Sequence, residues 1–204
     1  MIKISVIVIF IFNFIHINAQ TPDVNGIYYV KPVASGTGTG NRWANATADL
    51  ENVIYYAGAG NKVFMAIGNY NVPTIGYKMK KNLEIYGGFD PGNGITNLSH
   101  NRILPSELTE GTVFNGQGLR RVFNNDFLFS TALNNTAVLD GVTIKNGYVN
   151  SDNGAGMRNV NASPILRNIV VRNNNANNGA GGAIYNDDSS PILTNILFLN
   201  NFSG

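Results

Sequence analysis

Acid–base and metal chemistry need carboxylate, imidazole or thiol groups gathered in small sets, and this chain spreads them thinly. Its acidic residues include one adjacent pair, Asp187-Asp188, just before Ser189-Ser190. A calcium ion takes about six to eight convergent oxygen ligands. Asp187 and Asp188, with Asp152 the only other acid nearby, are the candidate ligands, and calcium is the one cofactor left open. The pair reads first as a turn, so the expectation is no metal and no cofactor. His16 lies in the apolar N-terminal stretch, which leaves His100 without a histidine partner. The chain has no cysteine, which excludes disulfides, thiolate metal sites and a lipoprotein anchor. Asp140 and Arg167 are repeat equivalents and read as a stacked ion pair on an outer face.

The element that must position any such group is a repeat. Ser163-Pro164-Ile165-Leu166-Arg167-Asn168-Ile169 returns as Ser190-Pro191-Ile192-Leu193-Thr194-Asn195-Ile196, an offset of 27 (163 to 190). The same offset carries Met157 onto Ile184, Asn159 onto Asn186, Val171 onto Phe198 and Asn173 onto Asn200. Val138-Leu139-Asp140-Gly141-Val142-Thr143-Ile144 fits the frame one step earlier. A fixed period of this length marks an architecture in which each unit buries its apolar face only against its neighbours. Leu139, Val142 and Ile144 answer to Leu166, Ile169 and Val171, and to Leu193, Ile196 and Phe198. The last two of each set are two apart, the strand period, so Thr143 and Lys145 should point outward. Asn168 and Asn195 sit where a left-handed turn residue is needed, which Asn tolerates. Short strands, Asn/Gly turns and a coil-length period predict an all-β parallel β-helix, with an antiparallel sandwich as the alternative. The three residues of each set should stack in columns.

Gly181-Gly182-Ala183-Ile184 followed by Phe198-Leu199-Asn200-Asn201 resembles the paired GGAI and FxxN repeats of the chlamydial polymorphic outer-membrane proteins, and the wider set of secreted bacterial right-handed β-helix proteins. Gly154-Ala155-Gly156-Met157 is a degraded copy of the first motif, and Val171-Arg172-Asn173-Asn174 lacks the Phe of the second. The close match runs from about Thr136 to Asn201, and a looser one from Tyr28 to Asp90. The resemblance implies a right-handed parallel β-helix, the pectin lyase-like fold, at a bacterial cell surface. It fixes no activity, because that fold hosts lyases, hydrolases, adhesins and passenger domains. Lyases of this kind use a calcium-binding carboxylate cluster with an Arg or Lys base, and the hydrolases an Asp cluster with His and Arg. Neither set can be assembled here, so no catalytic residue is assigned.

The remaining segments fill in the chain. Residues 1–19, with Lys3 before an apolar run and Ala19 before a polar stretch, read as a secretory signal peptide. The run is too short for a membrane span. Charged residues are 13% of the chain, apolar ones 44%, and the net charge is +2. That near-neutral balance gives no electrostatic basis for nucleic acid, and the apolar share argues against disorder. Residues 20–110 read as an N-terminal cap and first rungs. Within them Leu50, Val53, Ile54 and Ala57 give one helix, about Thr47 to Ala57, capped by Asn45 or Thr47, with Trp43 beneath it. Asp90 to Glu110 reads as a loop off the coil. Residues 111–204 are the repeats, with Thr112–Gly116 matching Ala137–Gly141 at an offset of 25, and the last rung reads as truncated.

The functional expectation is a non-catalytic secreted or cell-surface module for adhesion or carbohydrate binding. The alternative is a fragment of a carbohydrate-active enzyme lacking its catalytic rungs. Expected partners are glycans or surface proteins, with end-to-end self-association through the last rung, and no membrane span in the mature chain.

Overall fold

The structure is a computed structural model that describes residues 19–204. The export leader read over 1–19 lies, except for Ala19, outside the described residues. The described chain is built of short strands in successive rows. The first row is β1 (Ile27–Val30). The second is β2 (Lys62–Ala66) and β3 (Gly68–Asn71). The third is β4 (Glu84–Phe89), β5 (Thr112–Asn115) and β6 (Phe123–Asp126). The fourth is β7 (Val138–Asp140), β8 (Val142–Lys145), β9 (Tyr148–Asn150) and β10 (Met157–Val160). The fifth is β11 (Ile165–Arg172), β12 (Asn175–Asn177) and β13 (Ile184–Asp187), and the sixth β14 (Ile192–Leu199) and β15 (Phe202–Ser203). Every strand pair named here is parallel, and the rows build a curled nine-stranded sheet and two three-stranded ones, β6-β10-β13 and β9-β12-β15. The fold is all-β and solenoid-like.

Register follows the repeat. Tyr28, Val63, Ile85, Leu139, Leu166 and Leu193 are successive partners, one per row. Tyr70, Phe114, Ile144, Val171 and Phe198 form a second column. Thr112 pairs with Val142 and Ile169 with Ile196. Phe123, Met157 and Ile184 line the neighbouring sheet. Apart from Ile184, which is partly buried, members of these columns in rows two to five are buried, and their apolar side chains form one core, where each large side chain removed from water contributes about 1.5–3 kcal/mol. The three-then-two spacing of Leu166, Ile169 and Val171 has a backbone cause. Asn168 stands at φ +52°, in the frame position of Gly141 (φ +78°) and Asn195 (φ +54°). That left-handed residue bends the strand, so apolar residues three apart both turn inward.

The helix α1 (Leu50–Tyr56) is shorter than its predicted span, and its N-cap is Asp49, whose side chain accepts from Asn52 N at 3.0 Å. Thr47 Oγ1 instead accepts from Asp49 N. Leu50, Val53, Ile54 and Ala57 are all buried in the same core as Tyr28 and Val30, so α1 covers the apolar end of the first row.

Two further expectations are corrected. Trp43 does not lie beneath α1, whose underside is already filled. It sits on the outer face of the large sheet, its ring 5.0 Å from Tyr29 and 5.6 Å from Phe89, with Nε1 donating to Thr96 O at 3.0 Å. The offset-25 match also fails: Thr112 pairs with Val142, an offset of 30, while Val138 lies over Glu84. Row three carries the segment 90–110 between β4 and β5, so β5 stands under the second strand of row four. That segment is a loop off the coil, with one 3-10 turn (Pro91–Asn93) and no strand. It straps the outer face of the large sheet, where Ile103 N donates to Gly88 O and Arg172 reaches Glu107 O. Thr143 consequently points away from the core yet is fully buried, donating to Glu110 O at 2.6 Å, and Lys145 pairs with Glu110 at 2.7 Å.

Candidate functional site

Beside the strap, the outer face of the large sheet carries a cleft of about 760 Å³. Parallel register builds it. The outward column Phe64, Tyr86, Asp140, Arg167 and Thr194 runs up one side, and Lys62, Glu84, Val138 and Ile165 up the other. Val138 and Ile165 give the cleft an apolar floor, flanked by the Tyr86 ring, the Glu84 carboxylate and the Arg167 guanidinium, with Asn82 and Asn135 at its border.

The charges are fixed in pairs. Glu84 Oε2 takes Lys62 Nζ at 3.2 Å and the Tyr86 hydroxyl at 2.8 Å. Asp140 is the frame partner of Arg167, as expected, but it is not at an open surface. Its carboxylate is buried between Arg102 Nη2 at 3.0 Å and Arg167 Nε at 3.1 Å, and it also accepts from Asn168 Nδ2 at 3.0 Å. Arg102 comes from the strap, donates to Gly87 O, and lies over the Tyr86 ring at 5.4 Å. Burial, then the bond to Glu84, pushes the Tyr86 phenol up to about 12. It therefore stays a protonated donor at neutral pH and does not serve as a base. The groups still open to a ligand are the Arg167 Nη atoms and Glu84 Oε1, which have no partner among the described residues. An apolar floor with a few convergent polar groups is what a small polar ligand with apolar faces needs.

The residues singled out for metal do not meet. Asp187 ends β13 at the surface and Asp188 turns the chain at φ +45°. Asp152 precedes β10, at the opposite end of the same sheet, and is held by Arg121 at 2.6 Å. Its burial opposes ionisation, but the Arg121 bond, the Asn153 N–H and the charges of Arg121 and Arg158 together outweigh that and set its carboxyl below the usual range. Among the described residues no three acids or histidines gather as a metal-holding group. His100 Nδ1 accepts from Thr96 N inside the strap. Tyr148 borders a separate polar groove with Asn150, and Tyr185 is half-buried. Among the described residues no helix is long and apolar enough to cross a membrane.

Of the repeat residues, Gly181 stands at φ +67°, and a Cβ on Gly182 would meet Phe202 O at 1.9 Å. The tight packing of row six on row five thus requires Gly at 182. Asn173 and Asn200 take φ +54° and +51° at the next corner. Sequence reasoning did not assign the interior amides. Asn125 donates to Asn159, which donates to Asn186, both at 2.9 Å. Asn174 bridges to Asn201 by Nδ2 to Oδ1 at 2.9 Å. The signal was present, since Asn159 and Asn186 share the frame, but a buried amide is not distinguishable from a turn amide by period alone. Arg102 was also missed, because the strap has no period to read. No family model matches the chain, and neither a curated protein nor a solved structure matches it.

Proposed function

We propose that the chain is a right-handed parallel β-helix module of the secreted bacterial kind, similar to the polymorphic outer-membrane protein repeats, exported through the leader at 1–19. Its role is non-catalytic glycan binding at the cell surface, in the cleft floored by Val138 and Ile165. The observation that carries this reading is the division of labour in that cleft. The Glu84 and Asp140 carboxylates and the Tyr86 phenol are tied to fixed protein partners, while the Arg167 Nη atoms and Glu84 Oε1 are open. A bidentate guanidinium, a carboxylate oxygen and border amides suit sugar hydroxyls and uronate carboxylates. The Asp140 carboxylate is buried and engaged by two arginines and an amide, so it is not presented to a substrate, which speaks against a glycosidase or lyase reading.

The test is a glycan array with the mature protein, followed by titration of the best ligand. Arg167→Gln and Glu84→Gln should each weaken binding about tenfold, the cost of one charge-assisted hydrogen bond, with unchanged circular dichroism. Asp152→Asn, distant from the cleft, should bind as the parent does. Release of reducing or unsaturated ends from any polysaccharide, with or without calcium, overturns the non-catalytic reading. Binding untouched by both cleft substitutions overturns the site.

A further inference from the structure

Rows three to five turn a corner where the large sheet gives way to β9-β12-β15, and a groove of about 580 Å³ lies at that corner. Register builds it. Asn115 is the strand partner of Lys145, and the residues that follow, from Gly116 to Gly118 and from Asn146 to Tyr148, carry the chain round. Tyr148 is the strand partner of Asn175. A polarised chain of amides holds one wall. Asn146 Nδ2 donates to Asn115 Oδ1 at 3.1 Å, Asn115 Nδ2 to Asn69 Oδ1 at 3.1 Å, and Asn69 Nδ2 to Asn71 Oδ1 at 2.9 Å. Asn115 Oδ1 also accepts from Gln117 N at 2.9 Å. With its Nδ2 committed, Asn146 is left with Oδ1 as an open acceptor. The side-chain amides of Gln117, Asn173 and Asn175 line the same groove and make no hydrogen bond among the described residues.

Gln117 carries a second sign. It stands at φ +61°, beside Gly118 at φ +69°. Gly takes that backbone freely and Gln rarely does, and the Gln117 side chain makes no bond among the described residues to offset the cost. Strain of this kind gathers at functional positions. The lining as a whole bears no charge, and its one aromatic residue is Tyr148. An ionic ligand therefore finds no counter-charge there. An extended peptide finds no open strand edge, because Lys145 O, Asn146 O and Tyr148 N are already paired with Gly116 N, Gly118 N and Arg120 O. A sugar fits what is offered. Each hydroxyl both donates and accepts, as a side-chain amide does, and the apolar C–H face of a sugar ring covers an aromatic ring. We propose that this groove is a second saccharide site, which binds an uncharged oligosaccharide through the amides of Gln117, Asn146, Asn173 and Asn175 with Tyr148 as its stacking platform. Tyr148 also borders the groove of Asn150, so the sugar chain continues from one groove into the next. The site shares no residue with the cleft of Val138 and Ile165, and it stands whether or not that cleft takes uronates.

The probes are uncharged oligosaccharides of glucose, xylose, mannose and galactose, with oligogalacturonate as the charged comparison, titrated calorimetrically into the mature protein. At least one uncharged probe should bind, and should slow amide exchange across 116–118 and 146–148. Tyr148→Ala should weaken it about tenfold and Tyr148→Phe should not, since the ring and not the hydroxyl is used. The double variant Gln117→Gly with Asn173→Gly keeps both left-handed corners and removes two amides. It should weaken the same probe about tenfold, the worth of two neutral hydrogen bonds. Arg167→Gln, in the other cleft, should leave it unchanged. Failure of every uncharged probe to bind, equal binding by the parent and the double variant, or loss of binding on Arg167→Gln with the groove variants unaffected would each overturn the proposal.

Discussion

Asn168, Asn173, Asn195 and Asn200 hold φ between +51° and +54°, while Asn159 and Asn174 are fully buried and spend their side chains on ladders. The two uses separate under mutation. Asn173 makes no side-chain hydrogen bond among the described residues, so Asn173→Gly should leave stability within about 0.5 kcal/mol, because Gly takes positive φ freely. Asn173→Val should cost about 2 kcal/mol, the strain of a β-branched residue in the left-handed region. Urea midpoints at constant slope measure both. Asp140 presents a different case. Its buried carboxylate neutralises Arg102 and Arg167, so Asp140→Ala leaves the largely buried Arg102 guanidinium without its carboxylate and should cost about 3 kcal/mol. A midpoint equal to the parent's would show that water already screens the pair.

At the scale of elements, the strap from 90 to 110 does for the outer face what α1 does for the first row. Replacing residues 96–109 with a short Gly/Ser link removes Arg102, with its bond to Asp140, and the Trp43 anchor at Thr96. Amide exchange should then accelerate across β7 and β8 and stay unchanged in β12, which the strap does not touch. Rows four to six were legible in the sequence because nothing is inserted between their strands, so one offset carries every column from Leu139 to Leu193. Helix α1 was legible from its apolar spacing, though its cap was not, since Asn45, Thr47 and Asp49 are all competent and local chain geometry decides among them. Row three was misread. Thr112–Asn115 resembles Ala137–Asp140 in type, but its partner is set by which side of the strand bend it follows. Trp43 and Arg102 find their places through contacts between segments far apart in sequence, and no period announces these. The outer cleft inherits that limit: Glu84 and Arg167 belong to readable strands, while the group that locks Asp140 comes from the strap.

For the molecule as a whole, the tyrosines respond to pH together. Burial raises the phenols of Tyr28, Tyr29, Tyr70, Tyr77 and Tyr86 above 10.0, and those of Tyr29, Tyr77 and Tyr86 to about 12. A folded-state value above the unfolded one favours the folded, protonated form. This stability is fully present below pH 10 and is lost as pH rises through about 12. The thermal midpoint should be flat up to pH 10 and then fall steeply, with tyrosinate absorbance appearing in step with unfolding. Tyrosinate forming before any loss of structure would contradict that burial. The strap also leaves a mechanical signature. Leu139, Leu166 and Leu193 are one row apart at 27 residues, whereas Ile85 and Leu139 are one row apart at 54. Under tension applied at the C-terminus, rows should peel in sequence. The last rows should each lengthen the tether by about 95 Å, and the strap-bearing row by about 190 Å, at ~3.5 Å per extended residue. A force–extension trace would thus show even teeth followed by one of double width.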